Sequence, residues 1–549
     1  MYQVTGQFID LFQKEIYPAR IEINEGRIHK VIRIGEAPQQ YILPGFTDAH
    51  IHIESSMLVP SAFAQIAVVH GTVATVSDPH EIANVCGVAG VDYMIANAAT
   101  VPFKFNFGAP SCVPATGFET AGAIIGPAEI RSLLQRPEIR YLAEMMNFPG
   151  ALHGDPDVLA KIKAAHELGK PVDGHAPGLR GTEAARYAAL GISTDHECVT
   201  AEEALDKIEA GMYILIREGS AAKNFDALIG LLKTHPGRIM FCSDDKHPDE
   251  LVKGHINELV LRALREGCDL FDTLYAACVL PVLHYKLEVG LLREGDPADF
   301  ILVESLDTFK VLETYIDGQR VAEHGSSLIA GVVANPLNNF SIAAQKEENF
   351  HCRYEGGGDE VRVKVIDALD GQLITTASTA SLPVREGLIQ TELAQDVLKI
   401  GVVNRYHEAP VALGFIRNFG LQRGAIASSV AHDSHNIVFV GVDDAAITAA
   451  VNGIVQHRGG ISASDGDTVA VMPLPVAGLM SLAGGEETAR QYETLDGFAK
   501  SLGSKLSAPF MTLSFMALPV IPLLKMTDKG LFDVGAFDFV SLTGNDIKK

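Results

Sequence analysis

The stretch Leu43-Pro44-Gly45-Phe46-Thr47-Asp48-Ala49-His50-Ile51-His52 decides how this chain reads. Leu43 to Ile51 has the composition of a strand, and side chains two apart on a strand share a face. His50 and His52 therefore project together at its end while Ile51 packs the other way. Two imidazoles so placed can grip one metal ion. A single pair of this kind also has a bland reading, because imidazole serves several structural purposes. What surrounds the pair has to decide.

Working outward, apolar strand-like runs alternate with amphipathic helical runs from residue 44 to about residue 295. The further strand candidates are Gly71 to Ser77, Phe103 to Ala109, Arg140 to Met146, Lys170 to Asp173, Ile192 to Asp195, Met212 to Arg217 and Arg238 to Ser243. With the first, they form a series of strand–helix units of the length expected for an α/β chain folded as a (β/α)8 TIM-like barrel. The flanks read differently. Ala19-Arg20-Ile21-Glu22-Ile23-Asn24 alternates, with a turn at Glu25-Gly26. Phe300 to Val303 and Val311 to Ile316 repeat the pattern, with a turn at Asp317-Gly318. Residues 1–43 and 296–338 are thus expected to build one composite β-sandwich domain around a catalytic barrel at 44–295. After a polar patch at Gln345 to Asn349, the alternating run Arg362-Val363-Lys364-Val365-Ile366 opens an additional C-terminal α/β domain at 339–549.

In such a barrel the functional side chains stand where strands end. Here those ends carry His50 and His52, Glu144, His175, His196 and Asp244. Imidazole and carboxylate ligands suit zinc, iron or manganese. Glu144 can bridge the ion held by His50 and His52 to a second one held by His175 and His196. Two ions so placed lower the pKa of a shared water, and Asp244 can ligate one of them and take the water's proton. Glu144 and Asp244 are therefore the expected catalytic carboxylates. His80, Glu81, Arg217, Glu218 and Asp245 are candidates for substrate contacts or proton shuttling. Arg217 and Glu218 read equally as an ordinary rim pair, and His80-Glu81 as a helix start after Pro79.

The remaining composition narrows the class. Asp and Glu number 68 against 44 Lys and Arg, a formal charge of -24, which excludes a basic nucleic-acid or anionic-membrane footprint. The seven cysteines are scattered and none forms a C-x-x-C pair, so a reducing cytoplasm is expected rather than a disulfide framework. No signal peptide is read in the opening residues. The apolar stretch Ala508 to Leu524 is broken by Pro509, Pro519 and Pro522 and reads as core, not a membrane span. The zinc signature P-C-x-x-C of cytidine-type deaminases does not occur. Gly459 to Gly466 lacks the Lys-Ser/Thr ending of a phosphate loop. His432 and His435, in Ala431-His432-Asp433-Ser434-His435-Asn436, read first as a turn held by side-chain hydrogen bonds. An accessory metal or proton-relay role is the second reading.

These motifs carry a resemblance. Pro44 to His52, with the re-entry sequence Gly295-Asp296-Pro297-Ala298-Asp299-Phe300, resembles the amidohydrolase superfamily. Ser77-Asp78-Pro79-His80-Glu81, Glu144-Met145-Met146-Asn147-Phe148-Pro149-Gly150, Asp173-Gly174-His175-Ala176-Pro177-Gly178, Thr194-Asp195-His196-Glu197 and Cys242-Ser243-Asp244-Asp245-Lys246-His247-Pro248 are similar to its adenine deaminase family. So are Asn404-Arg405-Tyr406-His407 and the run from Ser507 to Phe515. The resemblance covers nearly the whole chain. It implies hydrolysis of adenine to hypoxanthine and ammonia in purine salvage, at a two-metal centre of Mn2+ or Fe2+, with Zn2+ also accommodated. It further implies a cytoplasmic homo-oligomer, a dimer first. Many superfamily members bridge their metals with a carboxylated lysine, a role that falls here to Glu144. Two alternatives are a related amidohydrolase acting on a cyclic amide or an N-acetyl sugar, and a non-catalytic barrel scaffold. The scaffold predicts lost ligands, whereas all six stand in place.

Overall fold

A computed structural model describes residues 1–220 and 222–544. At its centre lie eight parallel strands: β1 (Phe46–Ile51), β2 (Thr72–Ser77), β3 (Lys104–Ala109), β4 (Ile139–Met145), β5 (Val172–Gly174), β6 (Thr194–Asp195), β7 (Tyr213–Arg217) and β8 (Ile239–Cys242). The first five pair in order as one sheet and the last three as another. Single parallel bridges join Val172 to Ile192 and Ile51 to Asp244, so the two sheets close into a ring. Every residue of β1 and β2 is buried, as expected of strands covered by helices outside and by packed side chains within.

One expectation needs correction. The run from Leu43 to Ile51 is not one strand: Tyr41–Pro44 belongs to the flanking sheet, and β1 begins at Phe46. The break falls at Gly45, where a Cβ would lie 2.3 Å from Val73 Cγ1. Only a residue without a side chain lets the backbone pass that close to β2.

The flanking strands from both ends of the barrel segment join in one eight-stranded sheet. Its seam is the antiparallel pairing of Phe300–Val303 with Tyr41–Pro44. Turn residues at Glu25-Gly26 and Asp317-Gly318 all take positive φ, the backbone that tight hairpins demand.

Farther along, a nine-stranded sheet runs from Glu360–Asp367 to Val469–Pro473 and is mostly antiparallel. It contains the expected Arg362 to Ile366 run and packs against the helix Asp444–His457. That helix starts where Asp443 accepts a hydrogen bond from the Ala446 N–H, a capping contact that satisfies an otherwise orphaned donor. The helix Pro509–Phe515 is buried at every residue. Among the described residues no helix is long and apolar enough to cross a membrane.

Candidate active site

The ends of β1, β4, β5, β6 and β8 bring the six expected ligands together, all at most 7% exposed. His50 and His52 face one another, Nε2 to Nε2, at 3.2 Å. Asp244 Oδ1 lies 3.6 Å from His50 Nε2 and 3.2 Å from His52 Nε2. Glu144 divides its oxygens: Oε1 is 3.3 Å from His52 Nε2, while Oε2 is 2.7 Å from His175 Nδ1 and 3.2 Å from His196 Nε2. One carboxylate thus faces both histidine pairs.

Neighbouring bonds hold these groups in place. His52 Nδ1 lies 3.2 Å from the Asp78 carbonyl oxygen. Donation there fixes the tautomer that leaves Nε2 free to ligate. Asp48 ties β1 to β8 by accepting from the Ser243 N–H, the Ser243 hydroxyl and His255 Nε2. Tyr187 donates to the Met145 carbonyl and accepts from the His175 N–H, locking the ends of β4 and β5 together. Asp244 sits at φ 53°, a left-handed conformation that an aspartate adopts at some cost. Its N–H donates to His50 O at 2.9 Å, which pins that conformation against β1.

The electrostatics are those of a crowded, dry site. Burial alone would raise the Asp244 carboxyl, but the Arg217 guanidinium and hydrogen bonds from His50 and His52 hold it well below the usual carboxylate range. Glu144, for which burial is again opposed by His175 and its other histidine neighbours, is also held far down. Burial disfavours charge on His52, yet hydrogen bonding to Asp244 and Glu144 raises it well above the ordinary imidazole value. The site calls for positive charge among these nitrogens.

The other candidates are not all brought in. Arg217 reaches the site: Nη1 donates to Asp244 Oδ2 at 2.7 Å, and both terminal nitrogens contact the Glu197 carboxylate. His80 lies with Nδ1 3.1 Å from Asp78 Oδ2 and 3.5 Å from Glu144 Oε1. Ser55 Oγ stands 2.7 Å from Glu81 Oε1 and 2.6 Å from Asp245 Oδ1. Glu218, by contrast, turns away and accepts from Arg262 Nη1. Successive residues at a strand end alternate sides, so the inward Arg217 places Glu218 outward.

Sequence reasoning missed several neighbours. Glu197, Arg217's partner, follows His196 directly and was visible only as part of the Thr194-Asp195-His196-Glu197 run. The cavity over these side chains is also lined by Leu373, His432, Asp433, Phe515, Leu518 and Ile521. The turn reading of His432 is therefore incomplete: its side chain faces the cavity, more than 180 residues beyond the last barrel strand.

Residues 41–321 match the amidohydrolase family model, and residues 372–538 match that of the adenine deaminase C-terminal domain. An adenine deaminase of Salinibacter ruber is 55% identical over 541 residues, covering 98% of each chain. One of Methanosarcina barkeri is 48% identical over 547 residues and covers 99% of each. Among solved structures, an N-acetyl-D-glucosamine-6-phosphate deacetylase of Mycobacterium smegmatis aligns at a TM-score of 0.44 with 14% identity, over 59% of this chain and all of that one.

Proposed function

The chain belongs to the adenine deaminase family of amidohydrolases, and from that premise we propose that its barrel-mouth site hydrolyses adenine to hypoxanthine and ammonia. The single observation that carries the site assignment is Glu144, whose two oxygens face the two histidine pairs within 3.3 Å.

We assign His50, His52, His175, His196, Glu144 and Asp244 as holding two divalent ions. The donors fit such ions. Two imidazole nitrogens 3.2 Å apart with carboxylate oxygens around them are close enough to be ligands of one cation. Nitrogen and oxygen donors suit Mn2+ or Fe2+, and Zn2+ as well. When bound, the ions supply Lewis acidity and make water nucleophilic near neutral pH.

The chain's own residues manage the protons. Water's oxygen ends on C6; one of its protons ends on N1 of hypoxanthine and the other on ammonia. Asp244, kept ionised by Arg217 despite its burial, is placed to accept the first proton and pass it to the departing amine. Glu81 is the acid. Burial raises its pKa well above the usual range, and the nearby Asp245 and Glu54 carboxylates add to this. Ser55 has one hydroxyl hydrogen and two carboxyl neighbours, an arrangement that suits a protonated Glu81 donating to Ser55 while Ser55 donates to Asp245. Glu81 gives its proton to N1 and recovers one as the C6 carbonyl forms. His80, Arg217 and Asp245 complete the polar wall around the base. The cysteines of the described residues are all free, which suits the cytoplasm.

Purified chain reconstituted with Mn2+ or Fe2+ should shift adenine's ultraviolet spectrum to that of hypoxanthine with release of ammonia. No shift and no ammonia would refute the substrate. Replacing His50 and His52 together by Ala should lower bound metal per chain, and unchanged metal content would refute the ligand assignment.

A further inference from the structure

The C-terminal region brings one chemically competent side chain to the cavity. His432 is 2% exposed. Its ring lies on Phe515, centroids 4.3 Å apart and planes within 8°, and its N–H donates to the Ser514 carbonyl. His435 braces the loop: its N–H donates to Ala431 O, and its Nδ1 accepts from the Ala431 N–H. The His432 ring is thus held by its plane and its backbone, with its edge left open. Nδ1 is 3.8 Å from both Glu81 Oε1 and Asp433 Oδ1, and Nε2 has no hydrogen-bond partner among the described residues.

Two more atoms, Glu81 Oε2 and Asp433 Oδ2, are also buried without a partner among the described residues, on carboxyls whose other oxygens lie 3.8 Å from His432 Nδ1. Buried polar atoms are nearly always paired, so three together point to a missing polar ligand. An adenine edge alternates N–H donors with ring-nitrogen acceptors, which complements two carboxyl oxygens beside an imidazole nitrogen. Phe515 and Ile521 add apolar surface of the kind a flat base packs on. The cavity is narrow, with His432, Asp433 and Phe515 on one side of it and His52, Glu144 and Asp244 also lining it, so a base held there lies against both the barrel mouth and this wall.

Resting on the adenine reading of the site, we propose that His432 is a substrate-binding residue. Its Nε2 hydrogen-bonds the base, and residues 372–538 supply one wall of the purine site. The contact is made in the bound ground state and persists through the reaction, so it acts on KM more than on kcat.

The test uses the metal-loaded full chain. Asn at 432 puts an amide where ring Nδ1 stands, while Gln reaches the place of Nε2. His432→Asn should raise KM for adenine about tenfold, the cost of leaving a buried partner unpaired, with far less change in kcat and with wild-type metal content. His432→Gln should restore most of the affinity. A wild-type KM in His432→Asn, or equal impairment in both variants, overturns the inference. On the wild-type enzyme, saturating hypoxanthine should slow amide exchange across 431–436, and unchanged exchange there also overturns it. A wild-type chain that turns over no adenine fails at the substrate reading instead.

Discussion

Lys525 makes the most demanding prediction. It lies on the strand Leu524–Thr527, fully buried, and its Nζ donates to Leu373 O at 2.7 Å and Phe515 O at 3.0 Å. Those two carbonyls belong to residues that line the cavity. Among the described residues no carboxylate forms an ion pair with this lysine, and burial pushes its pKa down from 10.5 to about 7. The sign follows from proton counting. Between those two values the unfolded chain holds a proton that the folded chain has lost, so stability rises with pH across that window. Below about pH 7 both states are charged and the gain is absent. The slope is at most about 1.4 kcal/mol per pH unit, which integrates to about 2 kcal/mol between about pH 7 and about pH 9. Lys525→Met abolishes the titration and leaves two buried carbonyls without their donor, at about 1–3 kcal/mol each. The second effect does not depend on pH, so the two separate. In urea unfolding followed by circular dichroism, the wild type should gain about 2 kcal/mol over Lys525→Met between those pH values. Parallel pH dependences in the two proteins would refute a neutral buried lysine.

Two further changes probe the site's supports. Arg217→Met strands Glu197 and Asp244, whose contacts with the guanidinium are buried; in metal-free protein it should cost about 3–5 kcal/mol of unfolding free energy, and a wild-type unfolding midpoint would refute this. Gly174→Ala sets a Cβ 2.5 Å from the Thr194 carbonyl and 2.8 Å from Ile192 Cγ2. Prising β5 from β6 should destabilise by about 1–3 kcal/mol and weaken metal retention by His175 and His196. Unchanged stability and metal content would count against it.

The gathering of the six candidate ligands was legible because two simple periodicities coincide in it. A strand's alternation places His50 with His52, and the barrel's parallel order puts every strand's C-terminal end on one rim. Neither rule needs knowledge of distant contacts. The same alternation, applied one residue beyond β7, would have removed Glu218, since Arg217 and Glu218 cannot both face inward. The division at Gly45 was less visible, because it depends on how closely Val73 approaches from the neighbouring strand. His432 was out of reach for a different reason. Its local sequence is rich in turn formers, and nothing within ten residues shows that Phe515 stacks on it or that Glu81 lies opposite. That placement is tertiary, set by how the nine-stranded sheet and the helix Pro509–Phe515 close over the barrel.

Charge accounting explains why the site and its cover belong together. Glu144, Asp244, Glu197, Asp245 and Asp433 are all buried within a few residues' reach of one another, with Arg217 the arginine that pairs with two of them. Buried carboxylates left without a counter-charge are costly, so positive charge must come from protonated imidazoles or from divalent ions. Protons alone serve poorly where His50 and His52 meet nitrogen to nitrogen, since two protonated rings there would repel. Ions seated between nitrogen and carboxylate donors answer both demands. Their attraction to those donors strengthens as water is excluded, and Leu373, His432, Phe515 and Ile521 cover the site with largely apolar surface. A cover packed over the adenine would thus serve the chemistry as well as the binding, by keeping the field around C6 undiluted by solvent.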